Sequence, residues 1–129
     1  MGVLDKALQN LVRITAEKTA WENASPGSTF LGQTINILEL QDYERVYIRA
    51  KYSTGAYQSY DIEIPTEVGT VANIAIAVNS ISTRDVTIGS NKITFGNGQI
   101  VNSYGGSTTQ NNSLSIPLEI VLKRKKAEV

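Results

Sequence analysis

The apolar residues of this chain follow two different periods. Up to about Ala20 they recur every three or four residues, which is typical of a helix with one apolar face. From Thr34 almost to the end they alternate with polar residues, which is typical of strands with one face in water. Between the two, Pro26 and Gly27 interrupt regular structure. The pattern predicts an N-terminal helix at 1–20, a linker and hinge at 21–33, a β-sandwich domain at 34–123 and a basic tail at 124–129.

The predicted helix has an apolar stripe that we interpret as an assembly or docking element, formed by Leu4, Leu8, Leu11 and Ile14. With Leu4, Leu11 and Lys18 at heptad position a, Ala7, Ile14 and Trp21 fall at position d, as in a short coiled coil. An isolated helix of this length is marginal in water, so the stripe needs a partner. The partner is either the chain's own sheet or another molecule. In the second case we expect a homo-oligomer, with a trimer favoured.

The alternating region contains seven or eight short strands with turn signals between them. It predicts an all-β antiparallel sandwich, jelly-roll-like, to which the N-terminal amphipathic α-helix is appended. Because no helical stretch separates the strands, an α/β fold is not expected. Gly96-Asn97-Gly98 is the strongest hairpin signal, since Asn-Gly supplies the positive φ of a primed turn. The pattern leaves the strand order open.

The composition limits the chemistry that is available. The 129 residues suffice for one domain with its own core, and they include neither Cys nor His. The chain therefore lacks the commonest general base and any thiolate metal ligand or Cys nucleophile. Asp61 and Glu63 lie two apart on one strand, an arrangement that suits a carboxylate pair or a calcium site, but we favour a solvated strand face. In Thr83-Arg84-Asp85 we expect a local surface ion pair. We expect no enzymatic activity, no cofactor and no metal.

Charge is balanced over the whole chain but not along it. Of twelve positive charges, four are grouped near the C-terminus, at Lys123, Arg124, Lys125 and Lys126. We expect a solvated terminus, with docking to an acidic partner as the alternative. Nucleic acid is not an expected partner, because no basic stripe with interleaved aromatics accompanies these residues. The first ten residues do not resemble a signal peptide and no apolar run is long enough to cross a membrane, so we expect a protein made in a cytoplasm without a membrane partner.

A polar segment at 104–113 is the best candidate for ligand binding. Its candidate residues are Tyr104, Ser107, Thr108, Gln110, Asn111 and Asn112. Hydroxyl and amide groups beside an aromatic ring are suited to stacking on a sugar and hydrogen-bonding it. The alternative is an ordinary mobile hairpin loop.

Short motifs between Trp21 and Leu122 resemble those of a known protein class. They are Trp21, Asn23, Ser25-Pro26, Ser28, Phe30, Gln33-Thr34-Ile35, Tyr43, Arg84-Asp85-Val86-Thr87, Ile93-Thr94-Phe95-Gly96, Gly98, Asn111-Asn112 and Ile116-Pro117-Leu118. This set resembles a β-rich module found in tail-fibre and minor structural proteins of bacteriophages of Gram-positive hosts. In such proteins the module commonly ends a longer polypeptide, whereas here it follows only a helix.

The resemblance implies a non-enzymatic component of the virion, made in the host cytoplasm. Its expected partners are copies of itself, other virion proteins and a saccharide of the host cell surface, with the helix used for assembly and the polar loop facing outward. A tail, baseplate or fibre-tip protein is the favoured interpretation. The alternatives are a capsid accessory protein, either a head decoration or a short head fibre, and a free-standing carbohydrate-binding module.

Overall fold

A computed structural model describes residues 2–102 and 106–127, and it confirms the predicted all-β antiparallel sandwich with one N-terminal helix. The helix α1 spans Val3–Thr15. The strands are β1 Glu17–Glu22, β2 Gln33–Asn36, β3 Tyr43–Ser53, β4 Ser59–Pro65, β5 Val71–Ala77, β6 Ile81–Gly89, β7 Lys92–Phe95, β8 Gln99–Val101, β9 Thr108–Gln110 and β10 Leu114–Lys125. A short 3-10 turn, Leu40–Asp42, precedes β3.

The strands form two antiparallel sheets. The first sheet has the order β1-β10-β3-β4, so the C-terminal strand lies between β1 and β3. The second sheet has the order β2-β7-β6-β8-β9, and β5 pairs with the remaining edge of β6. β7 and β8 therefore lie end to end along one side of β6, opposite residues 86–89 and 81–83 respectively.

The core lies between the two sheets because each strand directs every second side chain inward. The first sheet contributes Val46, Ile48, Ile120 and Leu122, and the second contributes Ile74, Ile88, Ile93 and Phe95. At one end an aromatic cluster joins the sheets. The ring of Trp21 lies 5.9 Å from that of Phe30 and 6.0 Å from that of Phe95, and Phe30 meets Phe95 edge to face at 5.6 Å. Aromatic pairs at these separations contribute beyond the area that they bury.

The helix is shorter than the sequence pattern predicts. It ends at Thr15, and the residues expected to continue it to Ala20 instead form β1 against β10. A strand is more favourable here than a longer helix because it places Trp21 in the aromatic cluster. A longer helix would instead place Lys18 in its apolar stripe. The predicted heptad positions of Lys18 and Trp21 are therefore wrong.

The segment predicted as a linker and hinge is tied to the sandwich at both ends. The backbone N–H of Asn23 donates to the carbonyl of Leu118 at 2.8 Å, and its side-chain amide donates to the carbonyl of Pro117 at 2.8 Å. Further on, Phe30 is buried and its N–H donates to the carbonyl of Asn112 at 2.9 Å. The boundary at residue 21 is wrong, because Trp21 belongs to the sheet and residues 23–30 cover its end.

The predicted hairpin at Gly96-Asn97-Gly98 is also wrong. None of these residues has positive φ, and β7 and β8 pair with β6 rather than with each other. Gly98 serves close packing instead: a Cβ there would lie 2.5 Å from the carbonyl oxygen of Asn111 and 2.7 Å from that of Leu114. The tight turn occurs earlier, where Gly89 pairs with Lys92 and Asn91 has φ 56°.

Three further boundaries differ from the sequence pattern. The alternation that begins at Thr34 predicts a first strand at 34–40, but β2 ends at Asn36, and the chain then bends into the 3-10 turn so that Ile37 and Leu40 are both buried. The polar segment 104–113 contains a strand, β9, which pairs with β8. The predicted basic tail begins inside β10, which continues to Lys125 opposite Tyr43.

Candidate assembly surface

The apolar face of α1 is exposed to solvent. No residue of the helix is buried. Leu4 remains 72% exposed, and Leu8 and Leu11 each remain 53% exposed. Of the four residues predicted for assembly or docking, these three therefore form one open apolar face, while Ile14 is half-buried near the sandwich. Val3 and Val12 extend the face on either side and are also exposed.

The helix is anchored to the sandwich through its polar side, near its C-terminal end. The guanidinium of Arg13 donates to Glu44 at 3.3 Å and to the carbonyl of Lys125 at 3.2 Å. The side chain of Asn10 accepts from the same guanidinium at 2.8 Å and orients it. Just after the helix, the N–H of Arg124 donates to the carbonyl of Ala16 at 3.0 Å. Because the polar side faces the sandwich, the apolar side faces away from it.

A second ion pair between exposed side chains lies just after the helix. Lys18 forms an ion pair with Glu39 at 2.5 Å, which joins β1 to the segment before β3. The hydrogen bond from Lys18 lowers the pKa of Glu39, and the hydrogen bond to Glu39 raises the pKa of Lys18. Since both groups are in contact with water, the pair contributes little to stability.

A basic groove of about 800 Å³ lies between the polar side of α1 and the end of β10. It is lined by Lys6, Gln9, Asn10, Val12, Arg13, Lys125, Lys126 and Ala127. Of the four basic residues grouped near the C-terminus, Lys123 pairs with Glu17 at 3.6 Å and Arg124 with Glu44 at 3.5 Å. In the part of the chain that the structure describes, no carboxylate pairs with Lys125 or Lys126. Docking of an acidic partner here stays a prediction.

The predicted ligand-binding residues fall into two groups, apart from Tyr104, which lies outside the described residues. The two asparagines hold the chain together locally: the side chain of Asn112 accepts from the N–H of Gly98 at 2.8 Å, and that of Asn111 accepts from the N–H of Ser113 at 3.0 Å. The others are exposed on or beside β9: Ser107, Thr108 and Gln110. Saccharide binding at this segment stays a prediction that rests on the second group.

The carboxylates on the outer face of the first sheet are engaged by arginines. Asp61 accepts from Arg49 at 3.0 Å, and Glu63 accepts from Arg45 at 2.9 Å. The hydrogen bond from Arg45 lowers the pKa of Glu63, while the hydrogen bond to Glu63 raises the pKa of Tyr47. Over residues 2–102 and 106–127, no cluster of three or more acidic side chains is placed to hold a metal ion. This arrangement is that of a solvated strand face.

Arg84 is the polar residue that the sequence pattern misplaces. The sequence predicts a surface ion pair between Arg84 and Asp85, but only 1% of Arg84 is exposed, and Asp85 instead accepts a hydrogen bond from Asn73 at 2.9 Å. The guanidinium lies between the sheets and donates to three backbone carbonyls, those of Ser115 at 2.8 Å, Gly96 at 2.7 Å and Leu114 at 3.0 Å. Counting back from the inward Val86 and Ile88 by twos would have placed it inside.

Burial lowers the pKa of Arg84 to about 10, so the group is charged at neutral pH. The ring of Phe30, 5.2 Å away, adds a cation–π contact to the three carbonyls. Ser115, whose φ is 48°, turns the backbone of β10 at this point, and its hydroxyl hydrogen-bonds that of Ser82 at 2.7 Å. Arg84 is thus a structural link between the sheets rather than a group available to a substrate.

Comparison of the chain with protein-family models, with curated proteins and with solved structures finds no match. Within the described residues, α1 falls short of the length and apolar content that a membrane-spanning helix needs.

Proposed function

We propose that this chain is a non-enzymatic structural component of a bacteriophage virion, a tail, baseplate or fibre-tip protein that assembles with copies of itself through α1. The phage assignment rests on the resemblance of the motifs between Trp21 and Leu122. The assembly role rests on one observation, the open apolar face of a helix attached to a sandwich whose core is already filled by its own strands.

Leaving this face in water is unfavourable. Full burial of a leucine side chain contributes about 1.5–3 kcal/mol, and α1 carries exposed leucines at positions 4, 8 and 11. Association would recover part of that free energy without disturbing the sandwich, because the contacts of Arg13 lie on the other side of the helix.

The residue types on the helix favour more than two copies. Leu4 and Leu11 occupy heptad position a and Ile14 occupies position d, a combination that shifts parallel coiled coils towards trimers and tetramers. The exposed Val3 and Leu8 flank this seam at positions g and e, and they widen the apolar face beyond what a two-helix contact covers. We therefore propose a trimer.

The first test compares two single substitutions that each add one carboxylate to α1. Leu11→Asp changes the apolar face, and Gln9→Asp changes the polar face. We expect L11D to reduce the mass measured by light scattering to about one third of that of the parent, because it removes association through α1, and to abolish incorporation into particles, while Q9D keeps both. An L11D protein with the mass and incorporation of the parent would contradict the assembly role.

The second test locates the protein in purified virions. Separated tails and heads are probed with an antibody against the sandwich, and we expect the signal on tails. A signal on heads would instead identify a capsid accessory protein. Absence from every particle, together with binding on a glycan array, would identify a carbohydrate-binding module.

A further inference from the structure

The free edges of the two sheets are not equally protected against pairing with another strand. β1 has a bulge between Thr19 and Trp21 and carries three charged residues. β4 carries Asp61 and Glu63 and ends in Pro65. Charges, bulges and prolines are the features that keep edge strands from pairing with other chains. β5, with the sequence VANIAIA, has none of them, and its pairing with β6 is regular throughout. The other two edges of the second sheet, β2 and β9, are also uncharged, but they are only four and three residues long, and very short edge strands are poor templates for pairing.

The outer edge of β5 presents unpaired backbone groups. The N–H of Ile88 donates to the carbonyl of Thr70 at 2.8 Å, so Thr70 and every second residue after it direct their backbone groups towards β6. The residues between them direct N–H and C=O groups away from the sheet: Val71, Asn73, Ala75 and Ala77. Along the described chain, β6 is the sole strand that pairs with β5.

The side chains around this edge are apolar and exposed. Val71 is 67% exposed, and Ala75 and Ala77 face solvent on the same side of the strand. Val78 and Ile81 continue the apolar surface around the turn into β6, and both are exposed. A neutral, apolar edge with free hydrogen-bonding groups has the properties of a site for strand addition.

We propose that β5 pairs antiparallel with β5 of a second copy across a two-fold axis. We infer a second copy as the partner because this edge can pair with itself. When Ile74 lies opposite Ile74 of the other copy on the two-fold axis, Asn73 faces Ala75 and Val71 faces Ala77. The residues with outward backbone groups then oppose one another, as hydrogen-bonded pairs require. No charged side chain lies on β5, so this pairing opposes no like charges. A charged peptide would find nothing on the strand to select it.

The proposed pairing of β5 is independent of the proposed role of α1. It is therefore tested in a protein that carries both L4D and L11D, two substitutions that remove association through α1. In that background, Ala75→Lys places a charge at the centre of the proposed interface, and Thr94→Lys places one on the same outer face within the sheet. We expect A75K to weaken dimerisation about tenfold or more, as measured by sedimentation equilibrium, and T94K to leave it nearly unchanged. Equal dimerisation constants for the two variants would overturn the proposal.

The register is tested separately by crosslinking, since the chain contains no cysteine of its own. In the proposed register Asn73 of one copy lies opposite Ala75 of the other, at the Cα separation of about 5.5 Å that a disulfide spans. In the same background, a mixture of N73C and A75C should form disulfide-linked dimers under oxidising conditions in clear excess over either variant alone. A yield no higher in the mixture than in the separate variants would overturn the proposed pairing.

Discussion

Arg49 and Arg84 lie on different sheets of the sandwich, and they are stabilised in opposite ways. On the outer face of the first sheet, Arg49 is exposed and lies between two carboxylates, Asp61 at 3.0 Å and Glu119 at 2.9 Å. Between the sheets, Arg84 is buried and is held by three backbone carbonyls. Because water already solvates the charge of Arg49, its ion pairs with the two carboxylates add little to the stability of the fold. The buried charge of Arg84 is stabilised by the dipoles of backbone carbonyls instead of by water. Its burial is therefore favourable only when the two sheets are packed in the arrangement that brings these carbonyls to it.

The largest effect should come from removing the buried charge of Arg84. Arg84→Met keeps an apolar side chain of similar length but leaves the carbonyls of Ser115, Gly96 and Leu114 without their donor. A buried acceptor that loses its partner costs about 1–3 kcal/mol, so we expect the free energy of unfolding to fall by about 3 kcal/mol or more. Urea denaturation measures this change.

The matched control is Arg49→Met on the outer face, for which we expect a much smaller loss. A variant R84M that unfolds at the same urea concentration as R49M would show that the buried guanidinium is not a determinant of the fold.

A smaller loss should follow from filling the space beside Arg84. Gly98→Ala adds a methyl group that meets the carbonyl oxygens of Asn111 and Leu114 and the guanidinium of Arg84, so that β8 or β10 must shift. Overpacking of this kind costs about 1–3 kcal/mol. Gly55→Ala is the control, because a Cβ at Gly55 meets nothing within 4 Å. Thermal unfolding that places both variants at the same midpoint would contradict the close packing at Gly98.

The smallest effect concerns the pH dependence of the outer face. The pKa of Glu63 is lowered, chiefly by the hydrogen bond from Arg45, so the stabilisation is present above the ordinary glutamate value near 4.5 and is lost as the pH falls through the lowered pKa. We expect Glu63→Gln to make the loss of stability on acidification less steep. Glu67→Gln, in the turn before β5, is the control. Urea midpoints measured from pH 7 to pH 3 that change in parallel in E63Q and in the parent would contradict this account.

Much of the sandwich could be predicted from sequence, because alternation of apolar and polar residues sets which face of a strand is buried. Val46 and Ile48 in β3 and Ile120 and Leu122 in β10 follow it directly. Alternation does not decide the structure of a residue whose position suits both a helix and a strand. Trp21 fits a helical seam, and only the positions of Phe30 and Phe95, distant in sequence, make the strand more favourable.

Polar residues account for the remaining errors. The charge of Arg84 favours the surface, whereas its place in the alternation of β6 is inward. The dipeptide Asn97-Gly98 is typical of a turn, whereas Gly98 is needed here because the carbonyl of Asn111, thirteen residues further on, leaves no room for a Cβ. On α1, the spacing predicted the apolar face containing Leu4, Leu8 and Leu11, and the structure leaves it uncovered. The spacing within α1 identifies its apolar face but does not encode what that face contacts.

The pairing of β1 with β10 determines how the molecule would respond to mechanical force. Glu17 lies opposite Lys123, so the first and last strands of the sandwich have their outer ends at the same corner. A force that pulls α1 away from the end of β10 would therefore break the hydrogen bonds between these strands one after another, starting at that corner. A force applied between α1 and the loop at Gly55 would instead load many hydrogen bonds at once. In an object under tension, the direction of attachment would decide how much load this protein withstands.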